Sequence, residues 1–111
     1  MSYTKLERAL ESVLPEAVYK VQAPIENADG NPITRYLVWT PTGERYAYAD
    51  GKPFATIREA VVTVATQAED DELPRKVTAA LADARIAMRS PEHSYDEELA
   101  TYFTDIPCEV I

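Results

Sequence analysis

The sequence predicts an α+β fold, in which two helices pack on one face of an antiparallel, meander-type sheet of four to five strands. Three observations support this class. Two segments carry apolar residues at helical spacing, several short segments alternate between apolar and polar residues, and glycine and proline residues separate them. Residues 57–88 organise the chain, because an apolar, β-branched segment is followed there by an acidic break and a helical repeat.

The length and composition are those of one globular domain, residues 1–111. Hydrophobic residues make up 46% of the chain and charged residues 27%, as in ordinary folded proteins. The single cysteine, Cys108, excludes an intrachain disulfide and a cysteine-based metal site, and we expect it to be a small buried side chain. We see no signal peptide and no apolar segment near the roughly 20 residues of a membrane span. We therefore expect a soluble intracellular protein that contacts no membrane.

The charge balance is strongly acidic. Nineteen Asp and Glu against eleven Lys and Arg give a net charge of −8, and no Lys or Arg follows Arg89. Phosphate binding depends on cations that displace counterions, so direct nucleic-acid binding is not expected. We expect the acidic C-terminal end to be a solvated surface, and a surface past which DNA slides without binding would have the same sign.

The first helix is predicted over residues 4–14. Thr4 and Glu7 have the spacing of a capping box, and Pro15 ends the helix. Its apolar residues form one stripe, which consists of Leu6, Ala9, Leu10, Val13 and Leu14. Packing of this stripe on the domain's own sheet is favoured over a partner-binding role.

Three strands are predicted in the first half, over residues 17–22, 33–40 and 45–49. Asp29–Gly30 supplies the positive φ of a hairpin connection between the first two, and residues 41–43 form a turn between the second and third.

The fourth strand, residues 56–66, is predicted to be central and covered on both sides, because both its faces are largely apolar in the second half. The second helix follows the acidic break. Asp70 or Asp71 caps it, Pro74 suits its first turn, and its apolar spacing continues to about Met88.

The C-terminal end is open to two interpretations. Ser94 and Glu97 have capping-box spacing, which favours a helix over residues 95–103. Residues 99–104 and 108–111 are instead rich in residues that suit a pleated strand, and we prefer the strand.

The sequence contains no set of residues that predicts catalysis, a cofactor or a metal ion. The only histidine, His93, falls in a predicted loop, and a metal site with two histidines is excluded. The acidic residues 69–72 are explained by the favourable interaction of negative charge with a helix N-terminus, and residues 96–98 lack the spacing of a calcium loop. We do not expect an enzyme.

Aromatic residues are more informative. Tyr36, Trp39, Tyr46, Tyr48 and Tyr102 all fall in predicted strands. Tyr and Trp are enriched at protein interfaces, although they also fill cores and cross-strand pairs. Each is therefore a candidate either for the core or for a contact with another protein.

The order of these elements resembles that of the small tail-completion and tail-terminator-like proteins of long-tailed bacteriophages. The likeness extends over nearly the whole chain and departs from the family pattern where Leu99 follows Glu98. It rests on an N-terminal helix, a hairpin after Pro24 and the following segments: Tyr36-Leu37-Val38-Trp39, Tyr46-Ala47-Tyr48-Ala49-Asp50, Gly51-Lys52-Pro53, Val61-Val62-Thr63-Val64, Asp71-Glu72-Leu73-Pro74, Tyr95-Asp96-Glu97-Glu98 and Tyr102-Phe103.

The resemblance implies a structural protein of the virion tail, made in the cytoplasm of a bacterial host. It implies a six-membered ring at the head-proximal end of the tail tube, which terminates the tail or joins it to the head. The implied partners are further copies of the chain, tail-tube proteins and head–tail connector proteins, with no cofactor.

A closed ring needs two complementary surfaces on each subunit. The expected pair is the acidic C-terminal segment and a basic patch of Arg35, Arg45, Lys52 and Arg58, so that charge reversal at Arg45 would weaken assembly. The candidate interface residues are Arg35, Trp39, Arg45, Tyr46, Tyr48, Lys52, Arg58, Asp96, Glu97, Glu98 and Tyr102.

Two other functions are compatible with the sequence. A small acidic adaptor or inhibitor would bind one protein partner through an aromatic face of the sheet. A small hydrolase or transferase would require His93 or a carboxylate for turnover, and we expect His93→Ala to have no effect.

Overall fold

In the described residues, two helices lie on one face of a six-stranded, mostly antiparallel sheet, which confirms the α+β class. The computed structural model describes residues 3–26, 29–49 and 51–111. The elements in chain order are α1 (Thr4–Val13), β1 (Val18–Lys20), β2 (Tyr36–Ala49), β3 (Lys52–Thr66), α2 (Leu73–Asp83), β4 (Ala87–Met88), β5 (Glu92–Asp96) and β6 (Thr101–Val110).

The sheet has the order β1-β2-β3-β6-β4, and β5 also pairs with β6. β1 runs parallel to β2, with Val18 opposite Leu37, whereas the other pairs are antiparallel. The predicted hairpin between the first two strands is therefore wrong, because a parallel pair needs a crossover. Gly30 does have the expected positive φ of 80°, but within that crossover.

β2 is one strand of 14 residues, so the predicted turn at residues 41–43 and the separate third strand are wrong. The pairing with β3 shifts register between Pro41 and Gly43. The carbonyl of Trp39 accepts a hydrogen bond from Val21 N–H, so this edge of β2 faces β1. Pro41, two residues further along, faces the same edge beyond the end of β1, where its missing N–H costs no ladder bond.

The preferred strand at the C-terminus is confirmed, and the helix over residues 95–103 is wrong. β5 and β6 form a hairpin, and β6 continues through Pro107. The Pro107 carbonyl accepts a hydrogen bond from Arg89 N–H at 2.9 Å, in the break between β4 and β5. Proline is tolerated there because no β4 or β5 residue pairs opposite it.

α1 begins almost as predicted, but its N-cap is Tyr3 and not Thr4, so the capping box is not formed as predicted. The start of α2 uses Asp71, whose Oδ1 accepts a hydrogen bond from Leu73 N–H at 2.9 Å. This carboxylate satisfies one of the N–H groups that the first helical turn leaves without a partner.

α2 ends at Asp83 and not near Met88. Arg85 adopts a positive φ of 60°, and the Ile86 N–H donates to the Leu81 carbonyl at 3.0 Å. This is a Schellman-type end, in which the buried side chains of Ile86 and Leu81 supply the accompanying apolar contact. The chain then enters the short strand β4.

The core lies between the helices and the sheet. Its fully buried residues include Leu6 and Leu10 of α1, Val77 and Leu81 of α2, and Val62, Val64 and Ile106 of the sheet. The central position of β3 is confirmed. Both helices cover the same face of the sheet, so β3 is not covered by helices on both sides, and Val61 and Thr63 on the other face are half-buried. Neither helix in the described residues has the length and apolar character needed to span a bilayer.

Candidate subunit interface

Part of the β2–β3 ribbon extends beyond the body of the protein. β6 pairs with β3 only from Arg58 to Thr66, whereas β2 and β3 pair as far as Ala49 and Lys52. We call residues 44–49 and 51–57 the hairpin arm. It contributes to the elongated shape of the molecule, which measures 53 × 28 × 24 Å.

The hairpin arm exposes two large aromatic side chains. Tyr46 is 52% exposed and Tyr48 61% exposed, and their spacing of two residues places them on one face of β2. Gly51 at the tip has a φ of +76°, a conformation that glycine adopts at little cost. Of the predicted interface residues, these two tyrosines are well placed to contact another molecule.

The arginines at the base of the arm are bound within the chain. Arg45 Nη2 lies 2.9 Å from Glu109 Oε2, and Arg89 Nη2 lies 3.1 Å from Glu109 Oε1. These hydrogen bonds hold the pKa of Glu109 below its ordinary value. Arg58 Nε lies 3.6 Å from Glu44 Oε1. Charge reversal at Arg45 would therefore break an intrachain ion pair, so it does not isolate a contact between subunits.

The predicted basic patch is not one surface. Arg35 immediately precedes β2 and forms a bidentate pair with Asp71, with both N–O distances 2.9 Å. Lys52 lies at the other end of the ribbon, opposite Ala49. At about 3.3 Å per residue, the length of β2 separates them by roughly 40 Å. The expectation of a single cationic patch is wrong for this reason.

Trp39 belongs to the core, which was one of its two predicted roles. It is 3% exposed, its ring centroid lies 5.2 Å from that of Tyr3, and Lys20 Nζ lies 5.2 Å from the Trp39 ring. Its exposure is too small for it to serve as an interface anchor on this chain.

The acidic candidates lie at the end of the sheet opposite the arm. Asp96 ends β5, and Glu97 and Glu98 lie in the following turn. Next to this turn, the rings of Tyr95 and Tyr102 pack with centroids 4.4 Å apart. Both tyrosines line a groove of about 540 Å³, together with Glu69, Asp71, Arg75 and His93.

The residues considered for catalysis do not form a catalytic arrangement. His93 lies in β5 and not in a loop, and its Nδ1 is 3.0 Å from the Thr104 hydroxyl. Cys108 is 3% exposed, and burial raises the pKa of its thiol to about 12, so the nucleophilic thiolate is not populated at neutral pH. Across residues 3–26, 29–49 and 51–111, no three His, Cys, Asp or Glu side chains are placed to hold a metal ion.

Two exposed features were not predicted from the sequence. The assumed turn at residues 41–43 separated the hairpin arm from the rest of β2, so its continuity with the body of the sheet was not predicted. Leu99 was placed in a strand, but it lies in the turn between β5 and β6 and is 59% exposed. Asp96 was the available signal for a turn, because an aspartate side chain accepts hydrogen bonds from backbone N–H groups that follow it.

No protein-family model and no curated protein matches the chain. A solved structure does: a chain in the virion of the native gene transfer agent (GTA) particle is similar, with a TM-score of 0.59 and 19% sequence identity. The likeness covers 96% of this chain and 87% of that chain. At this level of identity the comparison shows that the two chains share a fold.

Proposed function

We propose that this protein is a structural component of a phage or prophage virion, and that it assembles as a ring at the head-proximal end of the tail tube. There it terminates the tail or joins the tail to the head. The observation that carries the proposal is the fold shared with a chain of the GTA virion over 96% of the sequence. The resemblance of the sequence elements to tail-completion proteins supports it independently of that comparison.

The shape of the chain suits repeated contacts between copies. The hairpin arm extends from one end with two exposed tyrosines, and the outer edge of β5 has no strand partner in the described parts of the chain. Exposed strand edges readily pair with other chains unless the protein covers or blunts them. An elongated subunit with different contact surfaces at its two ends can join head to tail, as a ring requires.

The acidic charge suits a ring through which DNA passes. A net charge of −8 disfavours binding to phosphates. The proposal accordingly assigns no nucleic-acid-binding, cofactor or catalytic role to the chain. Its partners are further copies, tail-tube proteins and head–tail connector proteins.

Absolute mass by light scattering, measured over a wide concentration range, tests the ring. Six copies of the 12.4 kDa chain would give about 74 kDa. The same sample is then centrifuged with isolated tail tubes, because a ring that closes only on a tube end would be monomeric alone. A 12.4 kDa species that also fails to sediment with tubes would contradict the proposal.

The groove beside Tyr95 and Tyr102 supports a second candidate function. An aromatic pair of which Tyr95 is 49% exposed, next to the open edge of β5, suits an adaptor that binds an extended segment of one partner. Such an adaptor would remain small and bind its partner in a fixed ratio. Light scattering with and without the co-purified partner separates it from the ring.

A further inference from the structure

The turn between β5 and β6, residues 97–100, exposes the side chain of a leucine on the surface. We call it the acidic turn. The Leu99 N–H donates to Asp96 Oδ1 at 3.1 Å, and the Thr101 hydroxyl donates to the Leu99 carbonyl at 2.9 Å. Ala100 has a φ of +49°, which non-glycine residues rarely adopt. The turn is therefore well defined, and it presents the 59% exposed side chain of Leu99 beside Glu97 and Glu98.

A second surface has the complementary character. A groove of about 670 Å³ lies between α1 and α2, and we call it the helix groove. Ala9, Ala80 and Ala84 supply its apolar lining, Lys5 and Arg8 supply positive charge, and Asp83 is the one acidic residue of the lining. In a protein with a net charge of −8, this is a local excess of cations next to an apolar surface.

Four charged side chains on the two surfaces have no ion-pair partner in the part of the chain that the structure describes. Neither Lys5 nor Arg8 forms an ion pair with any residue that the structure describes, and the same holds for Glu97 and Glu98. The arginines near the base of the arm are, in contrast, paired within the chain. The two surfaces thus carry charges of opposite sign that are free to meet.

One chain cannot bring these surfaces together. The helix groove lies beside the start of α1, where the Tyr3 hydroxyl donates to the Glu59 carbonyl near the base of the arm. The acidic turn lies beyond the pairing of Thr66 with Tyr102, at the opposite end of the sheet. A contact between them therefore requires two molecules.

We infer that the acidic turn of one copy docks into the helix groove of a second copy of this chain. Leu99 contacts the alanine lining, and Glu97 and Glu98 lie beside Lys5 and Arg8. Because the contact joins two different surfaces, it propagates head to tail and can close a ring. The inference rests on the self-association in the proposed function and specifies the surfaces that provide it.

Two charge-reversal variants test this pairing. Lys5→Glu with Arg8→Glu makes the helix groove acidic, and Glu97→Lys with Glu98→Lys makes the turn basic. Each variant alone then faces like charges across the contact, and we expect the concentration for half-association to rise at least about tenfold. An equimolar mixture restores opposite charges at every contact when the two variants alternate, and an even-numbered ring can close.

The matched control is Lys20→Glu with Lys76→Glu, which changes the net charge by the same amount as the groove variant, at two exposed positions outside both the helix groove and the acidic turn. We expect it to associate like the wild type. All four substituted positions of the test variants are exposed, and circular dichroism with thermal unfolding checks that each variant folds.

Light scattering on the wild type, each variant, the control and the mixture gives the result. Association of the wild type and the control, loss in both variants and recovery in the mixture is the expected pattern. Full association of both variants, or no recovery in the mixture, overturns the inference and leaves ring assembly to be explained by other surfaces. A wild type that is monomeric up to millimolar concentration also overturns it, while sedimentation with tail tubes still decides the proposed function.

Discussion

Val21 adopts a backbone conformation that a β-branched residue rarely occupies. Its φ is +70°, its N–H donates to the Trp39 carbonyl, and the next N–H, of Gln22, donates to the Lys20 carbonyl at 2.8 Å. The side chain is 59% exposed, so its burial does not offset the backbone strain. The hydrogen bonds at the end of β1 hold the residue in place where the chain leaves the sheet.

Replacing Val21 with asparagine should therefore stabilise the protein. Asparagine tolerates positive φ better than valine, and we expect the free energy of unfolding to rise by about 1 kcal/mol. Urea denaturation measures the change. Ile25→Asn is the control, since Ile25 is 85% exposed and has no positive φ, and it should change stability by less than about 0.5 kcal/mol. Equal effects of the two substitutions would show that Val21 is not strained.

Cys108 should be unreactive in the folded protein. It is 3% exposed, and burial raises its thiol pKa to about 12, so very little thiolate is present at pH 8. We expect alkylation by iodoacetamide to be at least about 100-fold slower in buffer than in urea, where the thiol regains its ordinary pKa. Comparable rates in the two conditions would place Cys108 at the surface.

Both helices could be predicted from local sequence, whereas the bounds of the strands and of α2 could not. The stripes of α1 and α2 predicted both helices, because helical periodicity depends only on the chain itself. Pro41 and Pro107 were interpreted as strand ends, but whether a missing N–H matters depends on the neighbouring strand, which local sequence does not reveal. The end of α2 was missed because Arg85 occupies the left-handed position where glycine is the usual signal.

The same dependence on neighbours limited the prediction of the interface. Tyr46, Tyr48 and Trp39 have equivalent local sequence signals, since each is an aromatic residue in a strand. Trp39 is buried because α1 and Tyr3 lie over that part of the sheet, whereas the arm extends beyond both helices. Tyr46 and Tyr48 are therefore exposed because the arm extends past the helices. The length of the arm depends on the register of β2 and β3, which local sequence does not reveal.

The start of α2 should make stability depend on pH. Hydrogen bonds from Arg35, and secondarily from Leu73 N–H, lower the pKa of Asp71 in the folded state. A lowered folded pKa means that this stabilisation is fully present above the ordinary carboxyl pKa near 4 and is lost as the pH falls through the folded value.

Asp71→Asn tests this, since asparagine cannot form the ion pair. We expect the variant to be less stable by about 1 kcal/mol at pH 7, because the pair is partly exposed to solvent, and the difference should shrink below about pH 4. Urea denaturation at several pH values measures it. The neighbouring Asp70→Asn is the control, and a similar pH dependence in both variants would contradict the assignment to Asp71.

The hairpin arm should contribute to assembly and not to the stability of the monomer. Tyr46→Ala with Tyr48→Ala removes two side chains that are more than half exposed, so we expect the free energy of unfolding to change by less than about 1 kcal/mol. If the arm contacts another subunit, the same variant should associate more weakly by light scattering. Ile25→Ala, which removes an exposed apolar side chain elsewhere, should associate normally. Unchanged association of the tyrosine variant would exclude the arm from the interface.

At the scale of the whole molecule, the chain is elongated and its two ends differ. One end carries the hairpin arm, and the other carries the acidic turn and the paired rings of Tyr95 and Tyr102. Such a subunit is suited to head-to-tail contacts with copies of itself. The net acidic charge could be predicted from composition, whereas the placement of charged groups at opposite ends of the molecule depends on the order of strands in the sheet.

We propose that this protein completes a virion tail. Electron microscopy of particles produced with and without the protein tests it most directly. We expect its loss to yield separate heads and tails, or tails of irregular length, and we expect a wild-type copy to restore intact particles. Intact particles of normal tail length, produced in undiminished number without the protein, would contradict the account.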